Sequence, residues 1–191
     1  MIGVFYYASR VALPPGSPVT GFQYYQNKRP DVDVVLPILE RGDLQEIQAL
    51  YQRFLEIDLA RKLGVVHTLF IECVFEAVRR AEFPNQICRW GAVHACPSPM
   101  GALAFAQWYG SRPFVYRVLH RAGMAFSGDM ALVNPPILPA MPFEEELLSL
   151  ESRARRYWRG EMVEKGFPEV LLDGDVVVEE LVQSLPVLKA S

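Results

Sequence analysis

The stretch Gly166-Phe-Pro-Glu-Val-Leu-Leu-Asp-Gly-Asp-Val-Val-Val178 limits what this chain can fold into more than any other. Asp173-Gly174 stands between two apolar triplets, Val170-Leu171-Leu172 and Val176-Val177-Val178. A dipeptide of this kind accommodates positive φ, so the sequence predicts a tight hairpin between two strands. The density of aliphatic and β-branched residues suits strands buried on both faces. Glu169 follows Pro168, and proline tolerates a strand entrance but not its middle. The expectation is a carboxylate at a strand mouth where the sheet opens onto a cleft. The same residue also reads as an edge charge that keeps the hairpin soluble.

The bulk numbers narrow the function classes. A length of 191 residues with 51% hydrophobic content predicts one domain over 1–191 with a substantial core. A net charge of −3 argues against a nucleic-acid partner held by a basic surface. No apolar run reaches membrane-spanning length, so no membrane partner is expected. The start Met1-Ile-Gly-Val-Phe lacks the basic segment that precedes a signal core, which points to the cytoplasm. Cys73, Cys88 and Cys96 form no C-x-x-C pair, and His67, His94 and His120 are dispersed, so neither a disulfide framework nor a metal centre is expected.

Along the chain, Ile2 to Ser9 reads as a first strand with Tyr7 and Ser9 on one face. Turn-rich sequence follows from Leu13 to Pro30, with Phe22, Tyr24 and Tyr25 in a loop that fits a pocket wall or a plain surface loop equally. Asp43 and Glu46 start a helix in capping-box fashion, and its apolar stripe runs through Ile47 and Tyr51 to about Leu63. A second helix is expected from about Thr68 to Ala81, then a strand from Trp90 to Cys96. Ser98 caps a third helix with Pro99 at its first position. Phe114 to Leu119 is a further strand, residues 121–142 read as loop, and Glu144 to Trp158 returns to helix. This order predicts an α+β fold with a split, mostly antiparallel sheet and flanking helices.

Four segments, taken in order, resemble the small bacterial ADP-ribosyltransferase-fold proteins, in a branch near rifampin ADP-ribosyltransferase and the poly-ADP-ribose polymerases. They are Phe5-Tyr6-Tyr7-Ala8-Ser9-Arg10, then Cys88-Arg89-Trp90 to Ser98, then Phe114-Val-Tyr-Arg-Val with Phe126-Ser-Gly-Asp129, and finally Tyr157-Trp-Arg-Gly160 with Pro168-Glu-Val-Leu-Leu. The resemblance implies NAD as substrate and transfer of ADP-ribose to a protein or small-molecule acceptor. It extends to toxin or effector roles, hence to secretion without a cleavable signal peptide, or to a binding protein on the same fold that has lost turnover.

The same resemblance implies the site. Glu169 matches the catalytic acid, which would hydrogen-bond the ribose and face the cation that forms as nicotinamide leaves. Tyr7 stands where the family has histidine, Ser9 matches its hydroxyl residue, and Arg10 closes that motif. Arg89 would contact pyrophosphate, and an aromatic on or near the Ser98 helix, Phe105, Trp108 or Tyr109, would stack on nicotinamide. Position 167 is phenylalanine, so the second glutamate that goes with arginine acceptors is missing. The residues also admit structural roles: Tyr7 in the core, Arg89 paired with Glu72 or Glu76, His94 and Cys96 inert, and Asp129 and Asp173 in turns.

Overall fold

The structure is a computed structural model that describes residues 2–21, 34–61, 66–108, 114–133 and 142–184. In chain order the elements are β1 (Gly3–Ser9), α1 (34–41), α2 (Leu44–Arg61), α3 (Val66–Glu82), β2 (Val93–Ala95) and α4 (Pro99–Trp108). There follow β3 (Phe114–Ala122), β4 (Ala125–Asp129), α5 (Met130–Val133), α6 (Phe143–Trp158), β5 (Pro168–Leu172) and β6 (Asp175–Ser184). The strands form two three-stranded antiparallel sheets, ordered β1-β3-β6 and β2-β5-β4. Among the described residues one bridge joins them, where the Tyr6 and Cys96 backbones exchange both hydrogen bonds at 2.9 and 2.8 Å. The expected α+β class with a split antiparallel sheet is therefore present.

The expected hairpin is not. β5 lies between β2 and β4, whereas β6 pairs with β3 in the other sheet. Asp173-Gly174 is a corner at which the chain changes sheets, and Gly123-Met124 is a second corner that carries β3 into β4. The two corners lie against each other, with the Asp173 N–H donating to the Met124 carbonyl at 3.0 Å and His120 Nε2 meeting the Asp173 carbonyl at 2.8 Å. Gly123 and Gly174 have φ of 116° and 90°, and a Cβ on either would collide with backbone of the opposite corner. The Asp-Gly signal specifies a tight reversal with positive φ, which a corner needs as much as a hairpin does.

Residues 121–142, expected as loop, contain the end of β3, all of β4, and α5. β4 escapes a pattern search because Gly128 lies inside it. The Tyr157 ring lies so close to Gly128 that a Cβ there would overlap it, a common reason for glycine in a strand. Helix α1, which contains Pro37, has no counterpart among the sequence expectations. The strand expected from Trp90 to Cys96 is short, with residues 89–91 in turns. Asp43 Oδ1 caps α2 by accepting from the N–H groups of Gln45 and Glu46, but the Glu46 carboxylate turns to Arg41. The tail, expected to be loosely held from Gln183, begins inside β6, where Gln183 and Ser184 pair with Val115 and Phe114; the aromatic loop with Phe22, Tyr24 and Tyr25 and the helix stop at Gly64 lie outside the described residues.

Two apolar fillings set the layers. One side of the β2-β5-β4 sheet packs on α3 and α6 through Phe126 and Leu171, against Phe75, Val78, Leu150, Tyr157 and Trp158. Its other side faces the β1-β3-β6 sheet, with Val93, Ala95, Val170 and Leu172 against Tyr116, Val118, Val176 and Val178. Residues 16–19 run along the outer edge of β6 and bond Val176 and Val178 at 2.8 to 2.9 Å. That cover protects part of an edge otherwise open to pairing.

Candidate functional site

Strand alternation decides where Glu169 points. In β5, Val170 and Leu172 enter the filling between the sheets, so Glu169 and Leu171 face the helices. The Glu169 carboxylate is 2% exposed. It therefore does not open onto a cleft, contrary to the expectation for a strand-mouth acid. Gly128 is its cross-strand partner in β4, and the absence of a side chain there leaves room for Tyr157.

Around the carboxylate, five elements or turns contribute one group each. Arg89, on the turn before β2, gives Nη1 to Glu169 Oε1 and Tyr157 OH, while Nε and Nη2 grip Glu72 of α3 at 2.9 and 3.1 Å. Tyr157 of α6 donates its hydroxyl to Glu169 Oε1 at 2.7 Å. The Arg89 Cζ lies 4.9 Å from the Tyr157 ring centroid, over the ring, and Met130 Sδ is 4.0 Å from Nη2. His94 of β2 places Nδ1 3.1 Å from Glu169 Oε2 and Nε2 2.9 Å from the Arg89 carbonyl. Both ring nitrogens thus lie against oxygen atoms. His94 is the most exposed member of the cluster, with 15% of its side chain accessible.

The electrostatics follow from that arrangement. Burial drives the Glu169 carboxyl upward, but the Arg89 charge and the His94 hydrogen bond outweigh it and hold it at about 2. Burial pushes the Tyr157 phenol well above its ordinary value, and the nearby Glu169 charge adds to this. Burial alone would lower Arg89, yet Glu169 and Glu72 raise it well above the usual arginine range. At neutral pH Glu169 is ionised, Arg89 charged and Tyr157 neutral. A buried pair of this kind leaves a large penalty behind if one partner is removed, typically about 3–5 kcal/mol.

The other expected site residues lie elsewhere. Tyr7 is half-buried in the filling between the sheets, on the side of β5 opposite to Glu169. Ser9 is buried, and its hydroxyl donates to the Val11 carbonyl at 2.8 Å in a local turn. Arg10 is exposed. Ser98 caps α4, accepting from the Gly101 N–H at 3.1 Å. Phe105 packs beneath that helix with Ala8, Cys96, Val115 and Met130. Trp108 ends α4, and its side chain lies outside the described residues, as does Tyr109. The expectation that Tyr7, Ser9 and Glu169 share one cleft is corrected by strand parity. Arg89 grips carboxylates inside the protein, as its pairing with Glu72 already allowed, and does not face outward toward a pyrophosphate.

Tyr157 is the partner that sequence reasoning missed: it stands in the fourth resembling segment and on the apolar stripe of α6, and neither assigns it a place in the site. A phenol at a fully buried helical position is itself a signal, because its hydroxyl needs a partner. Asp129, expected in a turn, is fully buried and accepts from the N–H groups of Ala131, Val163 and Phe167 at 2.7 to 2.9 Å. It shapes the segment that enters β5, and so sets where Glu169 begins.

Chemically the cluster is a carboxylate already occupied by hydrogen-bond donors. Among the described residues, no three His, Cys, Asp or Glu side chains converge as metal ligands, and no helix is long and apolar enough to cross a membrane. A comparison with curated proteins found no match. A family profile does match, over residues 35–184, and so spans Glu72, Arg89, His94, Tyr157 and Glu169 but not β1. That match covers most of the chain, which therefore belongs to the family described as "Protein of unknown function (DUF2441)".

Proposed function

We propose that the chain is a binding or interaction protein on an ADP-ribosyltransferase-like split sheet, without NAD turnover. One observation carries the reading: the carboxylate of Glu169 is buried and held by Arg89, Tyr157 and His94. An acid that stabilises a sugar cation must reach that cation in the transition state. Glu169 is instead committed to an internal one. The parity of β5, which sends Tyr7 away from Glu169, supports the same conclusion. Two antiparallel sheets joined at the Tyr6–Cys96 bridge agree with the split sheet that the resemblance implies.

A second reading, NAD-dependent ADP-ribosyl transfer to a protein or small-molecule acceptor, is favoured by one feature. Glu169 is ionised, sits at the head of β5 and lies against a planar cation. NAD cleavage and label transfer by the wild type and Glu169→Gln, with NAD calorimetry, separate the two. Signals at the buffer level in both proteins, with no heat of NAD binding, are expected. Wild-type cleavage that a folded Glu169→Gln protein loses would overturn the proposal in favour of the transferase.

A further inference from the structure

We infer that Glu72, Tyr157 and Glu169 form a recognition site for a planar organic cation, a guanidinium or amidinium group, and that Arg89 is its tethered occupant. The argument starts from who holds what. The receptor groups come from α3, α6 and β5, with Met130 of α5 beside them, and none belongs to the turn that carries Arg89. The backbone of each is placed by its own element. Glu169 is fixed by the pairing of β5 with both neighbours. Tyr157 is wedged among the rings of Phe75, Phe126 and Trp158, at centroid distances of 4.9 to 5.6 Å. Glu72 lies on α3 between the buried residues Ile71 and Cys73.

The shape of the site selects the ligand class. Glu72 takes two donors along one edge of the guanidinium, and Glu169 with the Tyr157 hydroxyl takes a third at the opposite corner. The Tyr157 ring supplies a face for the flat, delocalised charge. A guanidinium meets both edges and the face at once, whereas a compact ammonium is a point charge that cannot. The occupant sits on residues 83–92, a segment of turns between α3 and β2. Two of its backbone hydrogen bonds, Gly91 N–H to Cys88 and Ala92 N–H to Arg89, are long at 3.3 Å.

The test removes the tether and supplies the cation. Full-length Arg89→Ala is melted in about 10 mM methylguanidinium or acetamidinium, and in ammonium at equal ionic strength, far below denaturing concentrations. At about ten times the dissociation constant, a ligand specific to the folded state lifts Tm by roughly 3–6 °C in a chain of this size. That rise is expected with the planar cations, not with ammonium, and not in the wild type, whose site is filled. In Arg89→Ala/Glu169→Gln it is expected to vanish. Should Arg89→Ala not fold in plain buffer, its refolding yield in methylguanidinium against ammonium reads the same quantity. Equal responses to ammonium and planar cation, or a planar-cation response that persists without the Glu169 carboxylate, would overturn the assignment. So would the absence of any response in Tm and yield.

Discussion

Lowering the pH from about 5.5 to about 2 is expected to remove a part of the stability that Glu169 alone supplies. In the folded state its carboxyl titrates at about 2, against an ordinary value of 4.5. A depressed folded value means that the contribution is complete above the unfolded value and is lost as pH falls from 4.5 toward 2. At about 1.4 kcal/mol per pKa unit, the difference amounts to about 3 kcal/mol across that window. The slope of unfolding free energy against pH is correspondingly steeper, by up to about 1.4 kcal/mol per pH unit. Urea unfolding followed by tryptophan fluorescence, for the wild type and Glu169→Gln at several pH values, isolates this residue. The other carboxylates titrate in both proteins and cancel in the comparison. Glu169→Gln begins less stable, because Arg89 keeps only one carboxylate, and its curve is flatter. The two should converge toward pH 2, and parallel curves through the whole window would refute the reasoning.

Two further perturbations probe the scaffold of the same cluster. Tyr157→Phe removes the hydroxyl that Arg89 and Glu169 share, and a loss of about 1–3 kcal/mol is expected in equilibrium unfolding; a change below about 0.5 kcal/mol would show that the hydroxyl is redundant. Gly166→Ala drives a methyl into the Asp129 carboxylate, which is fixed by its three N–H donors. Overpacking of this kind costs about 1–3 kcal/mol, and a melting temperature equal to the wild type would show that Asp129 can move.

Elements with a local signal were legible in the sequence. The Asp43 cap, the Ser98 cap and the apolar stripes of α3 and α6 each depend on residues within one or two turns, and all are present. What depended on distant contacts was not legible. The Asp173-Gly174 reversal was readable as a turn, but its partner was set by Gly123, fifty residues away, where the second corner packs against it. β4 hid because its glycine answers to the Tyr157 ring in another layer. Of the candidate site, an acid partner for Arg89 could be read as Glu72 or Glu76 without a choice between them, and the structure pairs it with Glu72. That Glu169 and Arg89 grip each other could not be read, because the two positions lie in separate parts of the chain and meet only through the pairing of β2 with β5.

The parity of β5 explains why an ordered resemblance does not assemble the site that it implies. Segment order fixes which strands neighbour each other, but a slip of one residue moves every side chain to the opposite face. With Glu169 turned toward Tyr7, Val170 would leave the filling between the sheets and the carboxylate would enter it. That filling consists of Val, Ala, Leu and aromatic side chains, where an ionised group would lack compensation. The helix side holds Arg89, His94 and the Tyr157 hydroxyl. Burial of Val170 and Leu172 and neutralisation of Glu169 therefore select the same register, and a register so doubly determined keeps the acid inside. For Glu169 to act on an external ligand, Arg89 would have to leave first, and the energetics of that departure are those of a buried ion pair losing one partner.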